Sequence, residues 1–405
     1  MKISSLRAYQ VTQPFDISFQ SGQAFRTKSE SVILQVGYDN GMFSYGESAP
    51  RTYVTGESVS SVGGLILDSF APLLLQREVA TLNDVQAILN DLELFCIQKN
   101  FKPYHSALGA VDIALLDGLG KLERQPASFY LGPLLHSAAP HSVSVPFLPV
   151  EQIRQLYFRL RHFPFTHLKV LVGEDLAWNA ARLGLLRSLF GERVDLRIEV
   201  NGKWNFQQAM ANIEGLKRFG ISAVEQPLPA HDIEAQRRFR KECGIPVVAD
   251  ESFCTLPDAE KLVASQACDI LNIKLSKCGG LLRSKAIADF AHSMNVPCQL
   301  GAHVGETKVL TAAGNHFAAT TDLLWVDGGY SFLLFKDRRD KGNDSNDKGL
   351  SGLGLGLHPR DEEQETQEWQ EIMPSLVTSG PPCGFLSFLL MVAGLKTLGY
   401  HPHPV

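Results

Sequence analysis

The sequence predicts an α/β protein in which an α+β domain precedes a closed (β/α) barrel. Three observations predict it. Residues 1 to about 138 carry strand-like runs first and helical patterns second. From about Ser142, short apolar strands alternate with amphipathic helices at intervals of about 25 residues, the signature of consecutive βα units on a parallel sheet. Nearly every one of these strands ends in a polar residue, which favours closure into a barrel over an open doubly wound sheet, the remaining alternative.

In the first domain, "KISSLRAYQV" and "SESVILQVGY" read as strands joined through a segment rich in Ser, Gly and Gln. "GYDNGMFSYGES" reads as a hairpin turning at Asp39-Asn40-Gly41. In "HSALGAVDIALLDGLGKLERQ", Leu108, Val111, Ile113, Leu115 and Leu116 form a broad apolar helix face. The barrel strands are expected in "HSVSVPFLP", "THLKVLVG", "DLRIEVNG", "ISAVEQPL", "IPVVADES", "CDILNIKLS", "VPCQLGAH" and "DLLWVDGG". The rhythm stops near Tyr330. "KDRRDKGNDSNDKG" reads as a charged loop, and "GLSGLGLGL" neither follows a strand nor opens a helix, so it is no dinucleotide loop. "DEEQETQEWQEI" is expected to be an exposed acidic helix or a disordered tail. The expected divisions are residues 1–138, 139–330, 331–360 as a segment returning to the first domain, and 361–405 as an atypical tail.

Composition narrows the class. Of 405 residues 44% are hydrophobic and 20% charged, ordinary for a soluble globular chain. A net charge of −5 gives no argument for nucleic acid or an anionic membrane as partner. Seven dispersed cysteines without a CxxC argue against a disulfide framework or a zinc cluster and fit a reducing cytoplasm. The N-terminus lacks the apolar core of a signal peptide. "FLSFLLMVAGL" is strongly apolar but, at eleven residues, too short to span a bilayer, which takes about 20. It is read as a packed terminal helix or a poorly ordered tail.

The strand ends carry the chemistry. In order they present Lys169, Glu199 and Asn201, Glu225, Asp250 and Glu251, Lys274, His303 and Asp327. A single acid at a strand end means little, since helix N-termini favour acids. Glu199, Glu225 and Asp250, however, end three successive strands at spacings of 26 and 25 residues. Neighbouring strands lie about 4.8 Å apart, so the three carboxylates converge and need a cation between them. An all-oxygen set suits Mg2+, with Mn2+ as the alternative occupant. Lys274, in an apolar strand one unit beyond Asp250, is a candidate base beside that cation, and Lys169 lies across the metal from it. The pattern fits removal of a proton α to a carboxylate.

"LKVLVG", "EVNGKWN", "VEQPLP", "VVADES" and "NIKLSKCGG" stand in an order and spacing that resembles the enolase superfamily, and within it the mandelate racemase/muconate lactonizing enzyme family. The resemblance covers roughly residues 1–357, including "GESAPRTYVTGES". It implies an α+β capping domain over a modified (β/α)7β, TIM-like barrel. It also implies Glu199, Glu225 and Asp250 as metal ligands and Lys274 as the acid/base of a muconate lactonizing subgroup-like site. Cap loops around Ser18–Lys28 and Arg51–Glu57 would close over a small carboxylate substrate. Arg51, Tyr53, Asn201 and Asp327 are the candidate substrate-binding residues. Members of the family commonly form homo-oligomers.

Two positions depart from the family pattern. Its Lys-x-Lys strand reads Lys169-Val170-Leu171 here, so Lys169 matches the first, supporting lysine and Leu171 stands where the second is expected. Glu199 stands where aspartate is usual. Epimerisation needs an acid/base on each face of the enolate, so three resolutions stay open: Lys169 as second base, one-base chemistry on Lys274, or a contribution from His303. Glu306 and Asp327 are further candidates to orient a base. A catalytically impaired homologue that binds a metabolite is the alternative function.

Overall fold

The computed structural model describes residues 1–20, 25–135, 141–163, 165–328, 352–357 and 368–373. The chain opens with an antiparallel sheet of β1 (Ile3–Gln20), β2 (Phe25–Tyr38) and β3 (Phe43–Ser48). The β2–β3 turn falls at Asp39–Gly41 as the sequence predicts, with the Tyr38 N–H donating to the Met42 carbonyl. The Ser18–Lys28 segment differs from the loop expected. β1 runs to Gln20 and β2 begins at Phe25, with a register shift between Pro14 and Phe19 that lets the hairpin bend.

Helix His105–Glu123 packs on β3, and its expected apolar face is fully buried. Gly46 permits the approach, because a Cβ there would collide with the Ala110 carbonyl.

The acidic segment is the second departure. Within "DEEQETQEWQEI", expected as a helix or disordered tail, Glu368–Ile372 forms a strand, β11, antiparallel to β1. β1 would otherwise leave an unpaired edge, and Ile372 packs against the cap core beside Gly63. "FLSFLLMVAGL" and "KDRRDKGNDSNDKG" lie outside the described residues.

The second sheet is parallel, in the order β4 (Val143–Val145), β5 (His167–Leu171), β6 (Asp195–Glu199), β7 (Ile221–Glu225), β8 (Val247–Ala249), β9 (Ile270–Ile273) and β10 (Cys298–Leu300). Each strand is followed by a helix. A short eighth segment closes the ring, since Val326 bridges Leu300 on one side and His141 on the other. This is the (β/α)7β barrel the sequence implies. Asp175, Asn205, Asp232, Thr255 and Thr307 each cap the helix after a strand end by accepting a backbone N–H. Such caps contribute about 1 kcal/mol each.

Strand alternation sorts the side chains. Leu168, Val170, Val172, Leu196, Ile198, Val200 and Val224 face outward into a core shared with the helices. The intervening residues face the barrel interior. Ala223, Val248, Ile270 and Trp325 form a small apolar layer beneath the strand ends. Buried carboxylates join cap and barrel across their seam. Glu47 accepts the N–H groups of Thr307 and Leu310, and Asp112 those of Leu281 and Leu282, so each caps a barrel helix.

Candidate active site

Glu199, Glu225 and Asp250 arrive at one point because their strands are adjacent and parallel, with Glu199 directly in register with Glu225. Each offers a carboxylate oxygen, and these oxygens all lie within 4.8 Å of one another. All three residues are buried. Glu225 accepts from Asn272 Nδ2 at 2.7 Å and from Gln299 Nε2 at 2.8 Å, which leaves its carboxylate oriented by two neutral amides. Burial, together with the charges of Glu199 and Asp250, outweighs the attraction of Lys169 and raises Glu225 to about 7. Three buried hard oxygen donors with one acid unable to stay comfortably charged are the donor set a divalent cation such as Mg2+ fits.

Lys274 Nζ lies 2.5 Å from Asp250 Oδ2. Lys277 binds the same residue, with Nζ 2.9 Å from Oδ1 and 2.7 Å from the carbonyl, and it also donates to the Asn272 carbonyl at 2.9 Å. Burial alone would raise Asp250, but the two lysines more than reverse it and hold the carboxyl far below its ordinary value. Burial favours a neutral Lys274, whereas Asp250 and Glu199 raise it above the usual lysine value. A cation held by the three carboxylates would offset the negative charge that raises Lys274, favouring its neutral form.

The lone lysine of the β5 strand is no surface residue. Lys169 Nζ is 2.7 Å from Asp327 Oδ2, 3.1 Å from Glu199 Oε2 and 3.4 Å from Glu225 Oε2. Burial works against its charge, and the three carboxylates overcome it and raise the ammonium well above its ordinary value. Asp327 also takes Arg197 at 3.1 Å, and these two cations offset its burial and lower it to about 2. Asn201, in a left-handed conformation, donates from Nδ2 to Glu199 at 2.7 Å. Leu171 is inward-facing on β5, in register with Glu199 and almost fully buried.

His303 sits on the loop after β10. Its Nδ1 donates to the Ala49 carbonyl at 2.8 Å, which leaves Nε2 as an acceptor, without a partner among the described residues. Burial, then Lys274 and Arg51, keep the ring neutral. The loop is held by the cap: Ser29 Oγ donates to Gly305, and Arg51 to Val304 at 2.8 Å. Gly305 has φ +86, and a Cβ there would strike Ser29. Arg51 also donates to the Pro50 and Glu30 carbonyls, so its guanidinium ties cap to barrel. Tyr53 is more than a third exposed, with Arg26 over its ring. Thus the structure gathers Lys169, Glu199, Asn201, Glu225, Asp250, Lys274 and Asp327 in one contact network, sets His303 and Arg51 on the mouth loops, and leaves Tyr53 on the cap surface. A cavity lined by Phe19, Leu275, His303, Glu306 and Asp327, among others, opens at the β4 and β10 side of the barrel; of the network it reaches Asp327, while Glu199, Glu225, Asp250 and Lys274 do not line it.

Sequence reasoning missed Arg197, Asn272, Gln299 and Lys277. The first three stand in the strand alternation on the inward face, two residues before Glu199, two before Lys274, and in mid-β10. That alternation was available as a signal. Lys277 was not so marked: it returns to Asp250 only because Leu275–Cys278 makes one helical turn ending on Gly279 at φ +85.

Residues 3–132 match the family model "Mandelate racemase / muconate lactonizing enzyme, N-terminal domain", and residues 150–363 match "Enolase C-terminal domain-like". The chain belongs to the mandelate racemase/muconate lactonizing enzyme family. It is therefore an enolase-superfamily isomerase. It is 31% identical over 324 residues to the L-Ala-D/L-Glu epimerase of Bacillus subtilis, covering 79% of this chain and 86% of that one. A substrate-liganded structure of that epimerase superposes with a TM-score of 0.76 at 29% identity, over 83% of this chain and 92% of the other. The dipeptide epimerase of Enterococcus faecalis, solved with Mg and the dipeptide L-Leu-L-Tyr, shares the fold with a TM-score of 0.75 at 24% identity, over 81% and 90%.

Proposed function

We propose that this family member removes the proton α to the carboxylate of a small acid, such as a dipeptide or another N-substituted amino acid, with Lys274 as the base. The observation that carries the reading is a buried lysine at the edge of a buried three-carboxylate cluster. Glu199, Glu225 and Asp250 would hold Mg2+, or Mn2+ in its place. When bound, the ion neutralises the carboxylates, orients the substrate carboxylate and stabilises the charge that develops as the proton leaves.

The remaining work falls to the chain's own residues. Lys277 anchors Asp250, while Asn272 and Gln299 orient Glu225. Lys169, fixed by Asp327, contributes a permanent positive charge beneath the site. Asn201 positions Glu199. His303 Nε2 and the cap hairpin around Phe19 face the substrate's remainder, with Arg51 holding the mouth loop and Tyr53 at the cap rim. The six described cysteines are free, which supports a cytoplasmic setting. Among the described residues no helix is long and apolar enough to cross a membrane.

Chelation tests the reading. With Mg2+, incubation in D2O with mixed dipeptides and N-acyl amino acids should place deuterium at the α-carbon of at least one. Removing the metal should abolish this, and re-addition should restore it. Exchange that survives chelation would remove the metal from the account. Leu171 favours a second reading, a homologue that binds its ligand without turnover; binding detected calorimetrically with no exchange would select it.

A further inference from the structure

We propose that proton chemistry in this site runs on one face of the substrate, so that the enzyme does not invert its α-carbon. The inference rests on the α-proton reading above and is carried by the order of strands around the barrel. The ring runs β4, β5, β6, β7, β8, β9, β10 and the Val326 segment. In that ring of eight, β5 and β9 lie four places apart, on opposite walls. Glu251 follows β8, Lys274 follows β9 and His303 follows β10, so these rim side chains able to carry a proton share one arc, while Asp327, after the Val326 segment, is held by Lys169 and Arg197.

The facing wall is different. β5 ends in Leu171, an isobutyl group 1% exposed, in register with Glu199. It takes no part in the outer core that receives Leu168, Val170 and Val172. Arg182 fixes this strand end from outside, donating to the Leu171 carbonyl at 2.6 Å and to the Pro146 carbonyl at 2.6 Å. The one lysine of that wall, Lys169, lies two residues deeper. Its three N–H donors meet three carboxylates, those of Asp327, Glu199 and Glu225. A substrate seated over the three-carboxylate cluster therefore meets an amine on the β9 side and a hydrocarbon on the β5 side.

The consequence is chemical. The α C–H bond breaks toward Lys274 Nζ, which takes the proton, while the electron pair enters the enolate. Reprotonation comes from the same nitrogen and restores the starting configuration. Net turnover on that one face is open to a substrate with a substituent X on the β-carbon: the enolate pair forms the C=C bond, the C–X bond breaks with its electrons on X, and the Lys274 proton passes to X on that face, the product being an isomer where X stays joined to the rest of the molecule. The substrate class is thus a carboxylate of one α-configuration with a β leaving group.

The wild-type, Mg2+-loaded chain in D2O tests this with paired L- and D-configured dipeptides, N-acetyl amino acids and 3-substituted acids. Deuterium is read by mass spectrometry and configuration by chiral chromatography. One enantiomer should exchange more than about 10²-fold faster than its mirror image, the contribution expected of a positioned base, with no inverted product. Leu171→Lys, if folded, should add deuterated product of inverted configuration. Inverted product from the wild type, comparable exchange of both enantiomers, or a folded Leu171→Lys that still yields one enantiomer would overturn the inference. No exchange of either enantiomer with Mg2+ bound would overturn the α-proton reading and this inference with it. The wild-type result decides the matter even where Leu171→Lys fails to fold.

Discussion

Lys277→Met should be among the most destabilising single changes in the barrel, because Lys277 is fully buried against an equally buried Asp250. Methionine keeps most of the stem volume, so packing changes little. What disappears is one ammonium, which donates to Asp250 Oδ1, to the Asp250 carbonyl and to the Asn272 carbonyl, and which lies 3.9 Å from the centre of the Phe253 ring. Removing one member of a buried ion pair costs about 3–5 kcal/mol, chiefly through the charge left uncompensated. Lys274 still pairs with Asp250, which places the loss near the lower figure, about 3 kcal/mol. The assay is urea unfolding of wild type and variant, followed by tryptophan fluorescence, in chelator and again in saturating Mg2+. The metal should recover part of the loss, since a cation at the carboxylates replaces some of the missing charge. A loss under about 1 kcal/mol in chelator, or a larger loss with Mg2+ than without, would refute the assignment of Lys277 as the anchor of Asp250.

Other residues give further tests. Arg182→Ala leaves the carbonyls of Pro146, Leu148 and Leu171 without their donor, each worth about 1–3 kcal/mol, and should lower the unfolding free energy by at least about 3 kcal/mol in a denaturant titration. Gly46→Ala should prevent β3 from seating on helix His105–Glu123, seen as loss of soluble folded protein and of cooperative melting. Asp112 is raised by burial to about 7, against about 3.9 unfolded, so its contribution to stability is complete below the unfolded value and is lost as pH rises through 7. The stability of wild type relative to Asp112→Asn should therefore decline across that window, and a pH-independent difference would contradict the burial argument.

Much of this architecture was legible because it repeats. Eight apolar strands at a common spacing, nearly all ended by a polar residue, favour a closed barrel over an open doubly wound sheet and bring Glu199, Glu225 and Asp250 together. The supporting layer was harder to read. Arg197, Asn272 and Gln299 are polar residues inside apolar strands, and only the closed ring shows that they meet Asp327 and Glu225 rather than solvent. Long-range pairing hid two other features. Glu368–Ile372 has a composition that suits a solvated helix, and it becomes a strand because β1 offers an open edge. Arg51, a candidate substrate-binding residue, also ties cap to barrel through the carbonyls of Glu30, Pro50 and Val304. Leu171 is the instructive case: composition alone makes it an ordinary residue of an apolar strand, the family's Lys-x-Lys pattern marks it as a departure, and strand alternation places it inward beside Glu199.

The most direct test of the central claim compares wild type with Lys274→Ala, both shown by calorimetry to bind Mg2+, in a deuterium wash-in at the substrate α-carbon. The account predicts metal-dependent incorporation by the wild type and a fall of at least about 10²-fold in the variant, the loss expected for a general base. Incorporation at the wild-type rate by Lys274→Ala would contradict it, because the proton would then leave through a group other than the lysine at the edge of the three carboxylates.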